Sequence, residues 1–140
     1  MTFKIAGVQM DIALMDKAAN LAAMETALRE TTSNGARLTI FPECAVAGYC
    51  FDSLEEAMPY AESIPGGSSQ FFEELCRETD SFVIYGTLER VNDKLFNACL
   101  LVGPTGVIGS YRKIHLPFLG IDRFTTPGDR PFAVHDLGDI

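Results

Sequence analysis

The strongest constraint in this sequence is an apolar strand, an amphipathic helix and a second apolar strand within its first forty or so residues. Phe3 to Gln9 reads as a buried strand, with Ile5, Ala6 and Val8 apolar. Asp16 is an N-cap residue for a helix running through Thr32. Leu21, Met24 and Leu28 fall at i, i+3 and i+7, one helical face. Asn34-Gly35 stops that helix, since glycine tolerates the left-handed position past a helix end. Arg37 to Phe41 reads as the second strand. Two strands joined by a helix must lie parallel, because the crossover carries the chain back to its starting edge. The chain is therefore expected to be an α/β protein.

The rest of the chain continues that reading. Pro42 ends the second strand. Ser53 and Glu56 form a capping-box pattern for a short helix limited by Pro59. Pro65-Gly66-Gly67-Ser68 is a turn, with Ser68 or Ser69 capping a third helix through Glu78. Phe72, Leu75 and Cys76 give that helix its apolar face. Then come three strands in a meander, over Ser81 to Glu89, Phe96 to Val102 and Val107 to Lys113, joined at Asn92-Asp93 and at Gly103-Pro104-Thr105-Gly106. Irregular chain follows from His115 to Arg130. Phe132 to His135 is expected to open another strand, and Asp136 to Asp139 a turn. No repeat, linker or domain boundary interrupts this order. The 140 residues read as one domain that breaks off in the return strand of a hairpin.

Composition narrows the partners. Hydrophobic residues make up 47% and charged residues 21%, which suits a packed core rather than disorder. Eleven basic against nineteen acidic residues leave a formal charge of −8. Nucleic acid and anionic membranes both need a basic face, so neither is an expected partner. No apolar run reaches the ~20 residues of a membrane span. Met1-Thr2-Phe3-Lys4 enters the first strand with no signal peptide ahead of it. Cys44, Cys50, Cys76 and Cys99 show no paired spacing, so a reduced, cytoplasmic protein is expected. His115 and His135 lie far from any cysteine pair, and no zinc pattern is present.

Two short stretches could carry chemistry. Glu43, in Phe41-Pro42-Glu43-Cys44, follows the C-terminal end of a parallel strand, where open α/β sheets place their ligands. It is either a reacting carboxylate or an ordinary loop acid. Lys113, in Tyr111-Arg112-Lys113-Ile114-His115, ends a strand among apolar neighbours. It could stabilise an oxyanion or simply extend to water. His115 is a base or a structural histidine. Glu89 is a further carboxylate at a strand end, and Asn97 a hairpin hydrogen-bonding residue. Pro65-Gly66-Gly67-Ser68 lacks the ending of a phosphate loop. Cys76 and Cys99 fall on apolar faces and read as core. Cys44 adjoins Glu43, but neighbours in extended chain point to opposite sides.

In series these stretches resemble one family. Lys4-Ile5-Ala6-Gly7-Val8-Gln9-Met10, Phe41-Pro42-Glu43, Gly48-Tyr49, Tyr85-Gly86 to Glu89, Tyr111-Arg112-Lys113-Ile114-His115-Leu116 and Thr126-Pro127-Gly128 together resemble the nitrilase superfamily of carbon–nitrogen hydrolases. The resemblance covers the whole chain, in order. It implies part of a four-layer αββα sandwich, truncated on its C-terminal side, assembled as a homo-oligomer. It also implies hydrolysis of a small-molecule amide, carbamoyl or nitrile substrate through a thioester, with no cofactor or metal. An amidase or N-carbamoyl amidohydrolase is expected ahead of a true nitrilase. Carried onto this chain, Glu43 is the general base, Lys113 the oxyanion stabiliser and Glu89 an assisting carboxylate. The family's nucleophilic cysteine follows the Pro-Gly loop, and none of the four cysteines here occupies that position. The competing expectation is a non-catalytic α/β binding or assembly module that keeps the fold. A partial sandwich should also leave an open strand edge and an uncovered apolar sheet face, most exposed near Phe132 to Ile140.

Overall fold

A computed structural model describes residues 2–138. The first strand, β1 (Ile5–Gly7), leads through α1 (Lys17–Ser33) to β2 (Leu38–Ile40). After α2 (Leu54–Ala57) and a 3-10 turn over Met58–Tyr60, α3 (Gly67–Thr79) precedes the three long strands. These are β3 (Phe82–Val91), β4 (Lys94–Gly103) and β5 (Gly106–Arg112). All five strands form one sheet in the order β1-β2-β3-β4-β5. β1, β2 and β3 are parallel, whereas β3, β4 and β5 are antiparallel. The parallel crossover and the meander expected from the sequence are thus joined in a single sheet.

Local chemistry accounts for the ends of these elements. The Asp16 side chain accepts a hydrogen bond from the Ala19 amide at 2.9 Å, which caps α1. Gly35 then turns the chain at φ +85°. At α2 the Glu56 amide donates to Ser53 Oγ, while the Glu56 carboxylate accepts from the Asp52 amide. The start of α3 departs from the sequence reading. Gly66 is its N-cap, and Ser68 and Ser69 lie in the first turn. Ser69 Oγ accepts from the Gly66 amide, and Ser68 Oγ donates to Glu62. Ser69 thus bonds back to the Gly66 cap from the first turn, while Ser68 reaches sideways to Glu62.

The helices α1 and α3 cover one face of the sheet. Met24 and Leu28 of α1 and Phe72, Leu75 and Cys76 of α3 pack with Val83, Tyr85, Leu100 and Val102 as one buried core. On the other face a smaller cluster joins Cys44, Ala47, Phe51, Ala57, Leu88, Leu95 and Ile121. It covers only the end of the sheet that holds Leu88 and Leu95. Farther along that face Ile5 and Ile40 are 56% and 36% exposed. The chain therefore forms one sheet and one helical layer of an α/β fold, with an apolar strip on the second face left open, as the partial sandwich implied.

The strand expected over Phe132 to His135 does not form. Phe132 and Val134 are 76% and 100% exposed, so alternation in this segment has no sheet or core to serve. The Phe132 ring stacks on that of Tyr111 with centroids 5.2 Å apart, and this contact replaces a ladder. The turn expected over Asp136 to Asp139 reaches past the described residues, as does Ile140.

One close approach fixes the loop after β2. A Cβ on Gly86 would lie 2.4 Å from the Cys44 nitrogen and 2.7 Å from the Glu43 Cα. Only a residue without a side chain lets β3 pass under the Pro42–Cys44 turn. Gly86→Ala is expected to destabilise the fold by about 1–3 kcal/mol through forced backbone movement. Thermal melting checks this, and an unchanged melting temperature would show that the turn moves freely.

Candidate active site

The turn after β2 presents Glu43 over the sheet. The Phe41 amide donates to the Ile84 carbonyl at 2.8 Å, and the Gly86 amide to the Pro42 carbonyl at 3.1 Å, so the chain is pinned to β3 on both sides of Pro42. Cys44 then adopts φ +51°, and the Gly48 amide closes the turn on the Cys44 carbonyl at 2.8 Å. The reversal buries Cys44 and leaves the Glu43 side chain 47% exposed.

Lys113 arrives from the far side of the sheet. It follows β5, held by its amide to the Asn97 carbonyl at 2.8 Å. The Gly128 amide donates to the Lys113 carbonyl at 2.9 Å, so the Pro127-Gly128 loop braces the strand end. Lys113 Nζ lies 2.6 Å from Glu43 Oε1, across seventy positions of sequence. The two residues picked out by sequence therefore meet directly.

A third charge belongs to the same cluster and was missed. Asp122, in the 3-10 turn over Gly120–Arg123, places Oδ2 2.6 Å from Lys113 Nζ with its side chain fully buried. Gly120 makes that turn possible. Its φ is +47°, and a Cβ there would strike the Tyr49 ring at 2.4 Å. Tyr49 OH donates to Asp122 Oδ2 at 2.9 Å. Asn97 Nδ2 donates to Glu43 Oε1 at 2.6 Å and to Asp122 Oδ1 at 2.8 Å. The available signal was positional: Asp122 is the sole carboxylate between His115 and Gly128.

Glu89 lies elsewhere. On β3 it alternates with Gly86 and Leu88, whose partners on β4 are Cys99 and Asn97. Side chains three positions apart on a strand leave opposite faces. Glu89 accordingly points away from the Glu43–Lys113 cluster. Its carboxylate takes a fork from Arg112, Nε to Oε2 at 2.7 Å and Nη2 to Oε1 at 2.5 Å. Arg112 also reaches Asp129 at 2.8 Å and lies 4.0 Å from the centre of the Phe96 ring. His115 is exposed and outside both clusters.

A cleft of about 310 Å³ opens beside the charges, lined by Phe41, Pro42, Glu43, Ile84, Gly86, Asn97, Ala98, Cys99, Tyr111 and Lys113. Its wall is apolar apart from the Glu43–Lys113 pair and Asn97. Cys44 borders the cluster without opening to the cleft: it is fully buried, with Sγ 3.6 Å from Asn97 Oδ1. Burial, reinforced by the Glu43 and Asp122 charges, pushes its thiol pKa well up, so it stays protonated. Burial likewise raises the Cys99 thiol on the cleft wall. Among the described residues no group of three or more His, Cys, Asp or Glu is arranged to hold a metal ion.

The cluster keeps its charges. Burial works against a charged Lys113, but the hydrogen bonds it donates to Asp122 and Glu43 outweigh it and raise the ammonium pKa. Burial likewise disfavours the Asp122 carboxylate, yet Asn97, Lys113 and Tyr49 together hold it below the usual value. Burial, with the Asp122 hydrogen bond, pushes the Tyr49 phenol up to about 12.

These shifts set the pH response. A depressed Asp122 contributes stability above its unfolded value of about 3.9, lost as pH falls through the lower folded value. A raised Lys113 contributes below about 10.4, lost as pH rises through the higher folded value. Between those limits the cluster adds nothing to the pH dependence of stability. Lys113→Met is expected to cost about 3 kcal/mol, because it strands a buried carboxylate. Adding Asp122→Asn should recover part of that loss. Chemical denaturation of the three variants checks this, and equal stability of Lys113→Met and wild type would refute the coupling.

Comparison with known proteins bears on the family and the fold. The family description "Carbon-nitrogen hydrolase" matches residues 4–138. A nitrilase of Pyrococcus abyssi is 39% identical over 136 residues, covering 96% of this chain and 52% of that protein. An omega-amidase of Homo sapiens is 35% identical over 117 residues, covering 82% of this chain and 41% of that protein. The chain thus spans about half or less of the length of these relatives. The crystal structure of an N-terminal amidase superposes with a TM-score of 0.78 at 23% identity, covering 89% of this chain and 31% of that one. A carbon-nitrogen hydrolase from Helicobacter pylori G27 superposes at 0.77 with 19% identity, over 89% and 44% of the two chains. Both structural likenesses concern the fold. With the family pattern spanning nearly every residue, the chain belongs to the carbon–nitrogen hydrolases of the nitrilase superfamily.

Proposed function

We propose that this chain supplies the general base and the oxyanion-stabilising ammonium of an enzyme that hydrolyses small-molecule amides or N-carbamoyl compounds through a thioester. The observation that carries the reading is the 2.6 Å contact of Lys113 with Glu43 at the mouth of the cleft. Glu43 Oε1 is held by Lys113 and Asn97, and its side chain remains accessible from the cleft.

The chemistry follows from the charges. A cysteine thiol attacks the amide carbon as Glu43 takes its proton. The carbonyl oxygen becomes an alkoxide, and Lys113 stabilises it. The C–N bond breaks, and the nitrogen leaves with the proton that Glu43 returns. A thioester remains. Glu43 then takes a proton from water as the water oxygen adds to the thioester carbon. The thiolate leaves and is protonated again. Asp122 explains how the lysine keeps its place through this cycle. Each time Glu43 is protonated it loses its charge, and the buried Asp122 carboxylate still anchors the ammonium.

In this reading Asp122 fills the assisting role that the resemblance gave to Glu89. Glu89 orients Arg112, which in turn holds Asp129. We take the reacting thiol to be a cysteine other than the four in this chain: Cys44 and Cys76 are buried, Cys99 is a wall residue with a raised pKa, and the exposed Cys50 does not line the cleft. The partial coverage of relatives supports taking residues 1–140 as the N-terminal portion of one hydrolase domain. Assembly as a homo-oligomer in the cytoplasm belongs to the same proposal.

Ammonia release from small amides tests it. In a protein joining this chain to a downstream cysteine-bearing strand, Glu43→Gln and Lys113→Ala should each lower turnover by about 10²–10³ or more. The 140-residue chain alone should release none. Hydrolysis by that chain, abolished by Cys99→Ser or Cys44→Ser, would instead make that cysteine the nucleophile. Full activity in both charge variants would overturn the reading.

A further inference from the structure

We infer that Asn97 is a positioning residue for the hydrolytic site, its side-chain NH2 group clamping the Glu43 and Asp122 carboxylates on either side of Lys113. The inference rests on the hydrolase reading for its catalytic consequence. Its geometric part stands alone.

A primary amide nitrogen carries two hydrogens about 120° apart. Here one points at Glu43 Oε1, 2.6 Å away, and the other at Asp122 Oδ1, 2.8 Å away. Both donors are spent on anions, and the side chain is buried at 3% exposure. The orientation of the amide is dictated by its surroundings. Turned over, its carbonyl oxygen would face two carboxylates, and its nitrogen would face the Cys44 thiol. As placed, the oxygen accepts from Cys44 Sγ at 3.6 Å, and the raised thiol pKa keeps that donor protonated.

The clamp decides which carboxylate oxygens are engaged. Glu43 Oε1 receives both Asn97 and Lys113, and Asp122 divides its oxygens between Asn97 and the Lys113–Tyr49 side. Two carboxylates flanking one ammonium carry a net negative charge and repel each other. A neutral double donor between them relieves that repulsion without adding a group that titrates. Lysine alone would bind the two acids but would leave their rotation free. Asn97 fixes it because it extends from β4 on the same face as Cys99, on the rigid meander and not on a loop.

A merely structural asparagine would affect stability alone. Asn97→Leu, of similar size and without donors, should raise the Asp122 carboxyl midpoint, followed by the 13C resonance of its carboxyl carbon. In the active protein it should lower kcat about 10²-fold, the scale expected when reacting groups lose their alignment, with KM little changed. The second readout uses the unaltered chain. Both Asn97 side-chain N–H resonances should sit apart from those of solvated amides and shift on acidification in step with Asp122. A folded Asn97→Leu protein with an unmoved Asp122 midpoint would overturn the proposal. So would Asn97 N–H resonances that ignore protonation of the carboxylates, whether or not the variant folds. If the protein hydrolyses no amide at all, the functional reading fails, and the two resonance measurements still decide the role of Asn97.

Discussion

An ammonium held between a buried carboxylate and an accessible one is the interaction on which the rest of this site depends. Lys113 lies 2.6 Å from both Glu43 and Asp122. A charge as secluded as Asp122 is costly unless paired and hydrogen-bonded. Lys113, Asn97 and Tyr49 together satisfy it. The pairing draws in segments distant along the chain: the turn after β2, the strand β4, the end of β5 and the 3-10 turn at Asp122. The fold serves the cluster by bringing those segments to one end of the sheet.

The two carboxylates sit in different environments, and the proposed function gives them different tasks on that ground. Asp122 has no exposed side-chain surface and no place where a substrate could reach it. Its work is to hold Lys113. Glu43 shares the same lysine but opens to the cleft, so it can exchange a proton with a reactant. The proposed mechanism couples its two functions, because the residue it takes as base is ion-paired to the residue it takes as oxyanion stabiliser. In that mechanism, when Glu43 accepts a proton its hold on Lys113 weakens, just as negative charge grows on the substrate oxygen. The ammonium is then free to answer that new charge while Asp122 prevents its escape.

The strands, the long helices and the meander were legible in the sequence because periodicity and turn chemistry are local. Glu43 and Lys113 were legible for another reason. Each follows a strand in a recognisable motif, and the two reversals of the meander return β5 to the direction of β2, so both strands end on one side of the sheet. Asp122 was not legible, since it sits in irregular chain where neither periodicity nor capping says which way a side chain points. Glu89 shows the opposite failure. Its motif drew attention, yet simple alternation from Gly86 already sends it to the helical face, where Arg112 meets it. The strand expected at Phe132 to His135 failed because alternation predicts a face only where a partner strand supplies a ladder.

The direct test of this account is the protonation state of Lys113, followed through the 15N resonance of its side-chain nitrogen as pH rises. The account predicts an ammonium that persists above the ordinary lysine value of about 10.4, with the midpoint falling when Asp122→Asn removes its buried anchor. A lysine that loses its proton below the ordinary value, or one indifferent to Asp122→Asn, would contradict the charge cluster from which the rest of the argument is built.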